Sequence, residues 1–274
     1  MTLTAETIQP DLGAVKHRQK TVWSSGDYPA VGTTLQITGE QLAEAMDLRP
    51  DARVLDVAAG NGNATLAAAR RFCNVVSTDY VAGWLRNGME RAEAERLEVA
   101  FREADAEDLP FSDASFDAVM STFGVMFTAN QDAAAGELLR VCRGGGKIGL
   151  ANWTPDGFVG EVFRTIGRYN PPPAGVRSPL EWGTESRIAA LFGEGASDIR
   201  FVRSQFTFRF RSAQHWVDLW KAVYGPMRAA FAALSPEKAE ALEADLVALG
   251  TARSRSEDTM IVPSEYAEVV ILRA

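Results

Sequence analysis

Between residues 53 and 153 the chain alternates short apolar runs with longer segments of helical character. The runs are rich in β-branched residues and end at glycine, proline or polar residues, which is typical of buried parallel strands. The pattern predicts strands at 53–59, 74–80, 99–103, 116–121 and 147–153. It predicts helices at 63–72, 81–96 and 131–142.

The pattern changes in the last third of the chain. A proline-rich loop at 170–177 interrupts an otherwise helical insertion, and residues 199–210 alternate apolar and polar positions, as in an antiparallel strand with one solvated face. Helices at 213–233 and 236–249 and a strand at 266–272 complete the prediction. The order of elements predicts a Rossmann-like, doubly wound α/β fold. Its mostly parallel seven-stranded sheet has an antiparallel edge and a helical cap insertion.

These patterns divide the chain into four parts. They are an N-terminal arm or lid (1–37), a Rossmann-like core (38–153), a cap insertion (154–198) and C-terminal strands and helices that complete the sheet (199–274). The arm is expected to be irregular with one short helix, and its Trp23 and Tyr28 are candidates for an aromatic lid. Thr38 and Gln41 fit a capping box at the start of a helix that Pro50 ends.

Composition narrows the function classes. The chain has 28 lysines and arginines against 36 aspartates and glutamates, and this net charge of −8 argues against a nucleic-acid partner. Two cysteines and two histidines are too few for a disulfide framework or a structural zinc site, and no metal is expected. No apolar run approaches the ~18 residues of a membrane span, so a cytoplasmic location without a membrane partner is predicted. The oligomeric state stays open, with a homodimer as one alternative.

The segment VLDVAAGNGNATL, residues 54–66, carries the clearest chemistry. A predicted strand ends in a turn with Gly60 and Gly62, and a helix begins at once. Glycine lets a ligand approach the backbone, and the helix start offers free amide donors. Asp79 ends the second strand, where a carboxylate can accept both hydroxyls of a ribose. The pattern therefore predicts a ligand that contains a nucleoside.

Two residues favour one class of nucleoside over another. Asp56 lies inside the first strand, where it would repel a pyrophosphate and attract a cationic amino-acid group. Thr65 occupies the position where a dinucleotide fingerprint has its third small residue. Both disfavour NAD. An NAD(P)-dependent oxidoreductase remains an alternative, as does a non-catalytic cofactor-binding protein of the same fold.

The chain resembles the class I S-adenosylmethionine-dependent methyltransferases, especially their ubiquinone/menaquinone-methyltransferase-like small-molecule branch. Residues 56–62, DVAAGNG, are similar to the family motif D/E-x-G-x-G-x-G, with Ala58 in place of the first glycine. The resemblance continues through Asp79, DAEDLPF at 105–111, FDAV at 116–119 and LLRVCRGGG at 138–146. It implies S-adenosyl-L-methionine as the cofactor.

The resemblance also implies roles for individual residues. Gly60 and Gly62 would lie beside the methionyl group with Asp56 near its ammonium, and Asp79 would hold the ribose. Asp105 and Ala106 would meet the adenine, and Ser121 would lie close to the sulfonium. The predicted cofactor-binding residues are Asp56, Ala58, Gly60, Asn61, Gly62, Asp79, Tyr80, Asp105, Ala106 and Ser121.

The acceptor site is expected above the ends of the fourth and fifth strands. Its predicted lining residues are Trp23, Tyr28, Phe123, Met126 and Trp153. Because these walls are apolar, we expect a small hydrophobic or aromatic metabolite, methylated by in-line displacement with catalysis by proximity. No catalytic residue is assigned, since neither histidine is a convincing base. The stripe Trp216, Trp220 and Tyr224 is interpreted as core rather than as a substrate cage.

Overall fold

The computed structural model describes residues 10–274. Its α-helices are α1 (Leu12–Ser24), α2 (Tyr28–Gly32), α3 (Gln36–Ala45), α4 (Asn63–Ala69), α5 (Ala82–Ala94), α6 (Gln131–Val141), α7 (Phe158–Tyr169), α8 (Glu185–Phe192), α9 (Ala213–Val223), α10 (Gly225–Ala232) and α11 (Pro236–Arg253). Its strands are β1 (Arg53–Val57), β2 (Asn74–Asp79), β3 (Val99–Glu103), β4 (Phe116–Thr122), β5 (Cys142–Trp153), β6 (Ala196–Phe210) and β7 (Met260–Arg273). Short 3-10 helices occur at Thr33–Leu35, Val125–Phe127, Pro179–Gly183 and Gly193–Gly195.

All seven strands form one sheet in the order β3-β2-β1-β4-β5-β7-β6. The pairs from β3 through β5 are parallel, and β7 pairs antiparallel with both β5 and β6. The sheet reverses its direction of growth at β1 and β4, which creates a switch point at the carboxyl ends of these strands. The predicted doubly wound sheet with an antiparallel edge is confirmed.

Apolar side chains cover both faces of the parallel strands. Val54 and Met120 belong to one buried cluster together with residues of α3 and α4. Leu55 and Val119 belong to a second, larger cluster on the other face. Successive strand residues point to opposite faces, so a strand covered on both sides is apolar at nearly every position.

The N-terminal arm is more helical than predicted. Instead of one short helix it contains α1, α2 and a 3-10 turn. The Asp11 carboxylate caps α1 by accepting from the Ala14 N–H at 3.0 Å, and Pro29 starts α2. The capping-box prediction was wrong, since α3 begins before Thr38 and the Thr38 hydroxyl donates to the Leu35 carbonyl at 2.6 Å. Residues 1–9 of the predicted arm lie outside the described residues, and the four-part division stays a prediction.

Element boundaries differ from the predictions where glycine or proline interrupts a pattern. The predicted helix 213–233 is two helices, because Tyr224 is extended and Pro226 starts α10. β5 begins at Cys142 and not at residue 147, since Gly145, at φ +70°, lets the strand bend without ending. β7 begins six residues before its predicted start and pairs with β6 along almost its whole length.

Close backbone contacts fix the arm to the junction between α9 and α10. The Asp27 N–H donates to the Val223 carbonyl at 2.8 Å. A Cβ on Gly26 would lie 2.3 Å from that carbonyl oxygen, and a Cβ on Gly225 would lie 2.3 Å from the Val22 carbonyl oxygen. Only glycine at both positions permits this contact.

None of the helices in the described part of the chain combines the length and the apolar character needed to cross a membrane.

Candidate functional site

A cavity lies at the carboxyl ends of β1, β2 and β4, the edge where open α/β sheets bind ligands. Its empty space, which includes open solvent at the mouth, is about 740 Å³. Of the side chains and turns predicted to form the site, those that line the cavity are Trp23, Tyr28, Ala58, Gly60, Asn61, Asp79, Tyr80, Asp105, Ala106 and Phe123. The structure therefore brings the arm, the glycine turn and the ends of three strands to one place.

The turn after β1 adopts a left-handed backbone at several positions. Ala58, Gly60 and Gly62 have φ angles of +53°, +58° and +83°. A Cβ at Gly60 would lie 2.9 Å from the Tyr28 ring, so glycine here is required by the lid as well as by the turn. Ala58 adopts this conformation with a Cβ, which costs about 1 kcal/mol relative to glycine. The alanine that departs from the family motif thus keeps a glycine-like backbone.

Asp79 holds the turn in place through its side chain. One carboxylate oxygen accepts from the Gly60 N–H at 2.9 Å and the other from the Val81 N–H at 2.8 Å. Burial raises the pKa of Asp79 to about 6, although the bonds from Val81 and Gly60 act in the opposite direction. Each carboxylate oxygen has a further lone pair, so the group can still accept two hydroxyl hydrogens from a ligand.

Asp56 lies beneath the turn and does not line the cavity. Its side chain is fully buried; one oxygen accepts from the Thr65 hydroxyl at 2.6 Å, and the other has no partner among residues 10–274. Burial raises the pKa of Asp56 to about 7, and the nearby Asp79 acts in the same direction. Asp56 therefore retains its proton to a higher pH than an exposed aspartate does.

We expect Asp56 to make the stability of the ligand-free protein depend on pH. Its pKa rises from 3.8 in the unfolded chain to about 7, so the folded state retains the proton longer and the free energy of unfolding falls as pH rises between these values. Urea unfolding of wild type and Asp56→Asn should therefore diverge by up to about 4 kcal/mol across this window. Parallel pH profiles for the two proteins would contradict the assignment.

The end of the cavity after β3 is covered by the arm. Lys16 of α1 contacts Asp105 and Glu107, with both N–O distances at 2.7 Å. The other Asp105 oxygen accepts from the Glu107 N–H at 2.9 Å, which shapes the loop around Ala106. Asp105 is thus positioned at the cavity wall, and a lysine from the arm neutralises it in this arrangement.

An aromatic cluster forms the opposite end of the cavity. The Trp23 ring packs edge-on against Tyr28, Trp84, Phe127 and Tyr224, with centroid distances of 5.0–5.9 Å. Trp23, Tyr28, Phe123 and Phe127 also line a second pocket behind the first, whose remaining lining residues are Val31, Leu35, Trp153, Val159, Phe208, Trp220 and Tyr224. The two pockets share walls, and the second one is bounded by aromatic and aliphatic side chains.

Four predicted site residues line neither pocket: Asp56, described above, and Ser121, Met126 and Gly62. Ser121 is fully buried, donates to the Val57 carbonyl at 2.7 Å and accepts from the Val125 N–H at 3.1 Å, so it joins β1 to the end of β4. The next residue, Thr122, lines the cavity instead, because side chains alternate along a strand. Met126 is also fully buried, and Gly62 serves as the N-cap residue of α4.

Sequence reasoning missed several residues that line the pockets. They are Lys16, Gln19, Asn63, Trp84, Ala104, Glu107, Thr122, Thr128, Phe208, Trp220 and Tyr224, with others of the turns. The stripe Trp216, Trp220 and Tyr224 was interpreted as core. This interpretation is correct for the fully buried Trp216, but Trp220 and Tyr224 also line the second pocket. Lys16 and Gln19 of α1 could not be predicted from the sequence, because any exposed helix face carries lysine and glutamine.

No group of three or more histidine, cysteine, aspartate or glutamate side chains lies close enough to hold a metal ion in the part of the chain that the structure describes.

Comparison with known proteins identifies the class. A family model described as a methyltransferase domain matches residues 55–150, from β1 to β5. The uncharacterized protein Rv1403c of Mycobacterium tuberculosis is 42% identical over 254 residues, which cover 91% of this chain and 92% of that protein. A demethylmenaquinone methyltransferase of Beutenbergia cavernae is 40% identical over 131 residues, which are 44% of this chain and 53% of that enzyme.

A solved structure agrees with this result at the level of the fold. Haemonchus contortus phosphoethanolamine N-methyltransferase 2, in complex with S-adenosyl-L-methionine, superposes with a TM-score of 0.54 at 17% identity. The match covers 86% of this chain and 52% of that one.

The chain therefore contains a methyltransferase domain, which confirms the resemblance that its motifs carry. The chain belongs to the same family as the mycobacterial protein Rv1403c, to which it is similar over nearly its whole length.

Proposed function

We propose that the protein transfers the methyl group of S-adenosyl-L-methionine to a small, apolar or aromatic metabolite. The observation that carries the proposal is the pair of adjoining pockets. The first has the donor set that a nucleoside with an amino-acid group needs, and the second has walls of aromatic and aliphatic residues. Pockets for apolar small molecules have this composition.

The residues of the first pocket fit the cofactor. The free lone pairs of Asp79 suit two ribose hydroxyls, and Gly60 lines the same cavity. Asp56 lies behind the turn, where its carboxyl in the ionised form favours an ammonium group. Asp105 and Ala106 border the cavity where the family resemblance places the adenine. When bound, the cofactor supplies a methyl group already activated by a sulfonium.

The role of the chain is then to orient the acceptor and exclude water. Phe123 and Phe127 stand between the two pockets, and Trp23 and Tyr28 cover them from the arm. No carboxylate, histidine or lysine lines the second pocket among the described residues. An acceptor whose nucleophile is neutral or already ionised suits such walls, because it needs no general base and gains chiefly from alignment.

Calorimetric titration tests the proposal directly. S-adenosylhomocysteine should bind to the purified protein, whereas NADH at the same concentration should release no heat. Incubation with S-adenosyl-L-methionine and a panel of aromatic alcohols, amines and thiols should then yield a methylated product by mass spectrometry. No heat from S-adenosylhomocysteine would overturn the cofactor assignment.

The same panel addresses a non-catalytic cofactor-binding protein. That function would give cofactor binding without methylated product.

A further inference from the structure

Arg91 of α5 reaches the glycine turn from behind, on the side away from the cavity. Its guanidinium donates to the Asn61 carbonyl oxygen at 2.7 Å and to the Asn63 side-chain oxygen at 2.9 Å. A third bond, at 3.3 Å, goes to the side-chain oxygen of Gln36. All three acceptors are neutral, so these bonds hold the turn and leave the positive charge of Arg91 without a counter-ion.

No carboxylate pairs with Arg91 among residues 10–274. Glu95 lies one helical turn further along α5, but both of its oxygens accept from Arg70. Burial lowers the pKa of the half-buried Arg91, and Arg70 acts in the same direction, against Glu95. An arginine side chain stays protonated in a protein all the same. Since charged groups are rarely buried without a partner, this cation points to a ligand that supplies the missing negative charge.

The order of the strands determines which part of the cofactor meets the turn. Strands β3, β2 and β1 are neighbours in the sheet, and the cavity lies at their carboxyl ends. With the adenine at Asp105 after β3 and the ribose at Asp79 at the end of β2, the amino-acid end of the cofactor extends to the turn after β1. Asn61 and Asn63 line the cavity at this turn.

The cavity wall offers this end of the ligand no other cation. Lys16 is the one lysine or arginine that lines the cavity in the described part of the chain, and it pairs with Asp105 and Glu107 at the opposite end. The amino-acid group of the cofactor has an ammonium and a carboxylate. Asp56 beneath the turn suits the ammonium when it is ionised, whereas Arg91 has the charge that the carboxylate needs.

We propose that Arg91 is a positioning residue that provides the counter-charge for the carboxylate of the cofactor's amino-acid group. It acts from behind Asn61 and Asn63, which it holds at the cavity wall, and its charge is felt across this layer because protein screens charges less than water does. Resting on the proposed function, the inference makes the site selective for a zwitterionic amino-acid end over a simple amine.

Two ligands that differ only in the carboxylate test this role. They are S-adenosylhomocysteine and its decarboxylated analogue, which retains the adenosine, the sulfur and the amine. In calorimetric titrations Arg91→Gln should bind S-adenosylhomocysteine about tenfold more weakly than wild type does, with its affinity for the analogue unchanged. Arg91→Lys retains the charge and should recover most of this loss. A merely structural role in holding the turn would weaken both ligands equally.

Arg86→Gln is the matched control, because Arg86 is an exposed residue of the same helix and its loss changes the net charge by the same amount. It should bind both ligands as wild type does. Asn63→Asp is a second test variant that leaves Arg91 in place. The new carboxylate would pair with Arg91, so the affinity for S-adenosylhomocysteine should again fall relative to that for the analogue.

Equal losses for both ligands in Arg91→Gln and Asn63→Asp would overturn the inference, and so would wild-type affinities in both variants. Either result leaves the proposed function intact, because wild type still binds S-adenosylhomocysteine. Failure of wild type to bind that ligand would overturn the proposed function and this inference with it.

Discussion

Asp79→Asn is expected to weaken S-adenosylhomocysteine binding by about 100-fold, equivalent to about 3 kcal/mol. The carboxylate accepts from the N–H groups of Gly60 and Val81 and keeps one lone pair per oxygen for a ligand. An amide has a single acceptor oxygen and turns an NH₂ group toward one of these N–H donors. The variant therefore loses bonds to the ribose and misplaces the turn, which calorimetry on the folded variant measures.

Asp117→Asn is the matched control for this change. Asp117 also accepts from a backbone N–H, that of Arg53 at 2.7 Å, and is paired with Arg143, but it lies at the start of β4, at the opposite edge of the sheet. We expect its cofactor affinity to equal that of wild type. Similar losses in both variants would show that the effect of Asp79 is a general destabilisation.

The affinity of wild type should also depend on pH through this carboxyl. Its pKa in the ligand-free protein is raised to about 6, and a hydroxyl donor binds the ionised form. The dissociation constant should therefore increase as pH falls below about 6, and the Asp79→Asn variant should lack this part of the dependence.

Gly225→Ala should detach the arm from the rest of the molecule. The added Cβ would lie 2.3 Å from the Val22 carbonyl oxygen, which is backbone and cannot move aside without shifting α1. Overpacking of this kind costs about 1–3 kcal/mol. Trp23 and Tyr28 lie on the arm segment that this contact holds in place. Both pockets therefore lose their cover, and the affinity for S-adenosylhomocysteine should fall by about tenfold or more.

Limited proteolysis reports the arm directly. Cleavage after Lys16 or Lys20 should be faster in Gly225→Ala than in wild type. Gly136→Ala serves as its control, since nothing lies within 4 Å of a Cβ at this position in α6 and the change should stabilise the helix by about 0.5–1 kcal/mol. Unchanged cleavage and affinity in Gly225→Ala would mean that the arm can shift at no cost.

The sequence was most informative where a local pattern and the topology impose the same residue type. β1 and β4 are covered on both faces, so Val54, Leu55 and Val119 form continuous apolar runs that identify buried strands. The glycine turn was predictable for a related reason, because the left-handed backbone at Gly60 and Gly62 allows few residue types.

The arm and the second pocket were harder to predict because long-range packing determines them. Tyr224 follows Trp216 and Trp220 at helical spacing, and nothing in that spacing reveals that the helix breaks at Tyr224. Ser121 and Thr122 differ by one residue, so a small uncertainty about where β4 ends was enough to assign the wrong one to the cavity wall. Contacts such as Lys16 with Asp105 join positions 89 residues apart and leave no local trace.

The shared wall of the two pockets has a thermodynamic consequence. Trp23 and Tyr28 border both spaces and lie on one segment anchored at Val223 and Gly225. A ligand in either space contacts this segment, so any shift of the segment that one ligand causes also changes the wall of the other space. The two affinities are therefore linked by a single coupling free energy that is the same in either order of addition, and a change in the anchor alters both together.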